Sequence, residues 1–192
     1  MKRLATAVLA LALLPTAAAH AQVEAIEPTF QLDRKSDVRG PLDVVRVAMS
    51  KRTDGSLRGE LTMRRAWKDA DVRGGSLCLR FYVKADPGSQ APEYLVCATR
   101  GPDGGTLAGR VLRNRANGLP RTVGGAFVAR PSARTIYFGF EPELIRNPMK
   151  LRFSGESVWR GPRCPRTTGC RDLAPDAPDA RDFRLRRESA SG

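Results

Sequence analysis

Three carboxylates lie close together in the stretch Asp33-Arg34-Lys35-Ser36-Asp37-Val38-Arg39-Gly40-Pro41-Leu42-Asp43-Val44. Spacings of four and six residues put Asp33, Asp37 and Asp43 on a turn that leads into an aliphatic strand, and Gly40 and Pro41 suit a tight loop. Hard cations take several oxygen ligands from loops of this kind, so a structural calcium held by these acids is one expectation, although the spacing is not that of an EF-hand. The competing reading is turn chemistry: Asp bonds its own backbone, and Arg34, Lys35 and Arg39 are interleaved to neutralise the acids. On residue types alone, turn chemistry takes precedence.

A second set of candidates is aromatic. A pyranose ring packs its C–H face on an exposed aromatic side chain, and Trp67, Tyr82 and Tyr137 are the rings expected on outward positions. Trp159 continues an apolar stripe through Leu151 and Phe153 and reads as core.

The catalytic options are narrowed by histidine. The sole histidine, His20, falls in a leader-like segment: Met1-Lys2-Arg3, an apolar run from Leu4 to Leu14 broken only by Thr6, then Pro15 and Ala19-His20-Ala21. That order of charge, apolar run and Ala-x-Ala site reads as a signal peptide over residues 1–21, too short an apolar run for a membrane span. The mature chain is then secreted or otherwise extracytoplasmic, has no histidine, and cannot run Ser-His-Asp or Cys-His catalysis or build a histidine zinc site. A hydrolase working through two carboxylates needs no histidine, but Glu60, Glu93, Glu141, Glu143 and Glu156 lie in no motif that fixes a pair. The expectation is therefore a protein that is not an enzyme.

Four cysteines in an exported chain imply two disulfides. Leu77–Val83 alternates as a strand, Glu93–Thr99 reads as its antiparallel partner, and the segment between them is dense in turn formers. With Val83 near Pro92, Cys78 falls opposite Cys97, while Leu77, Leu79 and Phe81 face Ala98, Val96 and Tyr94 on the other side. One register satisfies bridge and apolar face together, which favours Cys78–Cys97 and leaves Cys164–Cys170 to close a small loop. Further strands are expected at 42–49, 57–64, 106–112, 123–129, 135–140 and 151–159, with one helical turn over 141–146 and Pro142 at its first position. The fold class is thus all-β, a sandwich of jelly-roll or immunoglobulin-like kind with about seven to nine strands. It is expected to span residues 22–170, followed by a flexible tail over 171–192 that is rich in Pro, Asp and Arg.

The chain carries a formal net charge of +13, and losing Lys2 and Arg3 with the leader leaves +11. Arginine dominates the basic residues, and with abundant Ala, Gly and Pro it suggests a bacterial genome of high GC content. Outside a cell a basic surface meets teichoic acid, acidic polysaccharide, lipid headgroups and free DNA. The arginines are spread along the chain, so no specific nucleic-acid footprint is indicated.

The pattern Asp33-x3-Asp37-x2-Gly40-x2-Asp43, followed by an aliphatic strand, resembles the opening of secreted β-sandwich modules of the DOMON-like and family-9 carbohydrate-binding-like kinds. It is also similar to exported actinobacterial domains that end in a segment like Cys170, Asp172 and Asp176. Arg34 and Ser36 stand where that opening usually has Pro and Gly. The resemblance implies non-catalytic recognition of carbohydrate or cell-envelope polymer, with Asp33, Asp37 or Asp43 holding calcium. The alternatives are an Arg-rich interaction module for anionic polymer or protein, and the carboxylate-pair hydrolase.

Overall fold

A computed structural model describes residues 26–33, 38–84, 91–101, 104–176 and 180–185. The chain is all-β. Its strands are β1 (Ile26–Leu32), β2 (Val44–Lys51), β3 (Leu57–Met63), β4 (Ser76–Tyr82), β5 (Tyr94–Arg100), β6 (Leu107–Arg113), β7 (Arg121–Ala129), β8 (Thr135–Phe140), β9 (Lys150–Trp159), β10 (Cys170–Ala174) and β11 (Arg181–Arg184). Two single 3-10 turns, Asp69–Val72 and Pro142–Ile145, interrupt them; the second is the expected turn with Pro142 at its start.

Every pairing is antiparallel, in the order β1-β2-β3-β8-β7-β6-β5-β4-β9-β10, with β11 also on β9. This is two sheets sharing one strand. Arg121–Ala126 of β7 pairs with β6, and Phe127–Ala129 pairs with β8. A register shift opposite Val111 and Leu112, beside Gly124 and Gly125, lets β7 turn the corner from one sheet to the other. The sheets then face each other, with β2 over β9 and β10 and β3 over β4, while β1 meets β11 at the far edge, so the sandwich nearly closes into a barrel.

The alternation in the sequence explains the faces. In β3, Leu57, Gly59, Leu61 and Met63 point inward; in β4, Leu77, Leu79 and Phe81 do. They meet Val47, Phe138 and Phe153 in one core, all essentially without solvent contact. Gly155 of β9 lets the sheets approach: a Cβ there would lie 2.8 Å from both Leu61 Cδ2 and Val47 Cγ2. The β4–β5 register is the expected one, Leu77 to Ala98, Leu79 to Val96 and Phe81 to Tyr94, with Cys78 opposite Cys97. Both disulfides, Cys78–Cys97 and Cys164–Cys170, are formed.

Two expectations are corrected. The described residues form eleven strands rather than about seven to nine; β1, β10 and β11 were not legible. β1 contains Pro28, which an edge strand tolerates because its outer N–H needs no partner. The expected flexible tail from residue 171 is also revised, because 171–174 and 181–184 pair with β9. Their apolar content is small but well placed: Ala174, Phe183 and Leu185 are buried, and the Phe183 ring meets Phe153 edge-on at 6.4 Å. Residues 186–192 lie outside the described residues, as does the leader-like segment 1–21.

A basic cleft at one end of the sandwich

Residues 83–84 and 91–93, which flank the β4–β5 connection, and the β6–β7 connection 114–120 lie at the same end, because the register sets Tyr94 of β5 against Arg113 of β6. Polar contacts tie them together. The Val83 N–H donates to Glu93 Oε2 (2.9 Å), the Asn114 N–H donates to the Glu93 carbonyl (2.9 Å), and Asn114 Nδ2 donates to the Pro92 carbonyl (2.7 Å). The segment from the second 3-10 turn to β9 reaches the same end, since Arg152 of β9 pairs with Tyr82 of β4.

Between these segments lies a cleft of about 550 Å³. Tyr94, Val83 and Val123 give it an apolar floor. Among the described residues its walls carry five cations, Lys84, Arg113, Arg115, Arg121 and Arg146, and a single carboxylate, that of Glu93, which is already engaged by the Val83 N–H. All five cations are exposed, and none forms an ion pair among the described residues. Arg146 occupies a left-handed backbone position, φ 70°, that glycine fills more cheaply. A hollow of about 330 Å³ adjoins the cleft, shares Val83 and Lys84 with it, and adds Lys150 and Arg152. There Lys150 Nζ is bound to Asp182 Oδ2 at 2.8 Å. Cations converging on a concavity with so little opposing charge make a site for anionic groups.

The residues singled out from sequence lie elsewhere or are differently disposed. Trp67 is 2% exposed: its ring belongs to the core, and Arg130 covers it at 4.0 Å while bonding the Trp67 carbonyl and Asp69. Tyr82 sits on the expected outer face, yet it too is buried, with the Arg80 and Arg152 guanidiniums 5.6 and 5.2 Å from its centroid. Strand β4 is central, so long side chains from its neighbours close over it; the Arg80–Glu156–Arg171 ion-pair chain is one such cover. Tyr137 is half-buried on the outside of the other sheet, its ring stacked under Arg58 at 3.5 Å. The three rings are not brought together. The expectation of open stacking platforms is corrected: each ring is a partner for arginine.

The acids divide similarly. Asp43, 4% exposed, accepts Arg64 Nε at 2.7 Å, and the Arg64 N–H bonds its carbonyl. Asp33 is buried where its N–H joins the Val45 carbonyl, and Asp37 lies outside the described residues. Among the described residues no group of three His, Cys, Asp or Glu side chains is placed to hold a metal. Asp33 and Asp43 do not by themselves fit calcium, which takes about six to eight oxygens. Asp172, 2% exposed, instead accepts the Val44 N–H at 2.7 Å and so ties β10 to the start of β2. Of the possible catalytic acids, Glu60 is bound to Arg46, Glu156 to Arg80 and Arg171, and Glu93 to the Val83 N–H.

Sequence reasoning missed the cleft because its cations are scattered from 84 to 146. The usable signal was the hairpin succession: in an antiparallel meander alternate turns share an end, so the β4–β5 and β6–β7 connections could be placed together, but Arg146 could not. Compared with protein-family models, curated proteins and solved structures, the chain matches none. No helix among the described residues is long and apolar enough to cross a membrane.

Proposed function

We propose that this chain is a secreted, non-catalytic binding module that takes an anionic ligand in the cleft walled by Lys84, Arg113, Arg115, Arg121 and Arg146. The observation that carries the reading is the convergence of five exposed cations on one concavity where, among the described residues, they form no ion pair and the single carboxylate is engaged by backbone. The ligand class is phosphate-, sulfate- or carboxylate-bearing material of the cell envelope, acidic polysaccharide included. Neutral sugar has less to hold, since Trp67 and Tyr82 are buried and Tyr137 is covered by Arg58.

The test is binding of long-chain polyphosphate by the mature, oxidised protein across a salt series. Binding is expected to weaken steeply with salt, because charge contacts are screened. Arg115→Glu with Arg121→Glu should weaken it by about tenfold or more at low salt and flatten the salt slope. Arg73→Glu with Arg163→Glu makes the same charge change at the opposite end. Equal losses from both double variants would mean that net charge, not the cleft, does the binding.

A further inference from the structure

The end of the sandwich that carries the cleft also exposes two large apolar side chains. Leu119, at the β6–β7 hairpin tip, is 87% exposed, and Met149, just before β9, is 54% exposed. A single exposed Leu needs no explanation. These two are set differently. Leu119 stands between Arg115 and Arg121, and Met149 between Arg146 and Lys150, so each apolar tip is bracketed by cations that line the cleft or its neighbouring hollow. Glu141 and Glu143 begin the nearby 3-10 turn but line neither concavity.

Resting on the anion-binding reading, we propose that the anions are presented by a lipid surface: this end docks on an anionic bilayer. Headgroup phosphates lie against Lys84, Arg113, Arg115, Arg121 and Arg146, and Leu119 and Met149 enter the boundary between headgroups and acyl chains. A soluble polyanion has use for the cations but none for the apolar tips, whereas a bilayer offers a negative plane and an apolar layer just beneath it. The pattern matches both layers at once. The chain needs no spanning helix for this, and its attachment is reversible.

The experiment compares the mature, oxidised protein with Leu119→Ser/Met149→Ser, a change that leaves every charge in place. The probes are vesicles of phosphatidylglycerol mixed with phosphatidylcholine, vesicles of phosphatidylcholine alone, and soluble long-chain polyphosphate. Expected are binding to the phosphatidylglycerol vesicles and not to those of phosphatidylcholine alone, a loss of about tenfold or more of that binding in the double variant, and polyphosphate binding that is the same for both proteins. The exposure of both side chains keeps the fold out of the comparison, which an unchanged melting temperature verifies. Equal vesicle binding by wild type and variant, equal binding to both vesicle types, or binding to polyphosphate but to neither kind of vesicle would each overturn docking. The last result would leave the anion-binding reading standing with a soluble polymer as ligand. Failure of every anionic probe would remove both.

Discussion

Asp43 and Arg64 show how a buried charge is tolerated. The Asp43 carboxylate has almost no solvent contact, and Arg64, one-third exposed, supplies both a counter-charge and an N–H. Arg64→Ala would leave that carboxylate without its cation and should cost about 1–3 kcal/mol, the penalty for stranding a buried acceptor. Urea unfolding of wild type and variant checks this, and an unchanged midpoint would mean that solvent reaches Asp43 in the variant. The same pairing explains why the acids of the Asp33–Asp43 stretch read ambiguously in sequence. Spacing shows that carboxylates are near one another, but not that an arginine twenty-one positions on has taken one of them.

At the scale of elements, the hydrophobic alternation made β2 through β9 legible, and the two inner faces meet because Gly59 and Gly155 leave out side chains where the sheets approach. Gly155→Ala should overpack Leu61 and Val47 and destabilise by about 1–3 kcal/mol. A melting temperature equal to wild type would show that the sheets can separate at no cost. β11 was illegible because only one of its four residues, Phe183, faces inward, too few to set up a period. Its contribution is nonetheless that of a core aromatic. Phe183→Ala should lower stability by about 3–5 kcal/mol, measurable by denaturant titration; a loss below about 0.5 kcal/mol would return this segment to the tail that composition suggests.

At the scale of the molecule, the corner strand β7 decides the shape. By leaving one sheet and joining the other it brings the two faces together over a single core, and it sets the hairpins 83–93 and 114–120 beside the 3-10 turn at Pro142–Ile145. A Cβ on Gly124 would lie 2.6 Å from Leu144 Cδ2, so the turn is seated directly on the corner. Arg146 is delivered to the cleft by that seating. Five cations that are far apart in sequence are thereby gathered on one cleft, where the polyphosphate and vesicle experiments read them out.

The sequence by itself determined the β class, the Cys78–Cys97 register and the turn at Pro142, because each follows from local alternation, from the direct opposition of two residues in a hairpin, or from proline's fixed backbone angle. It also settled that residues 22–192 contain no histidine. The environment of Trp67, Tyr82 and Tyr137 was decided only by the tertiary structure. Inward or outward is a property of a strand's own period, but exposure depends on what neighbouring strands lay over it, and here arginines from other segments cover all three rings. The basic cleft was decided there too. Its cations come from three connections separated by whole strands, and nothing local in a chain records which of its turns will share an end once a strand changes sheets.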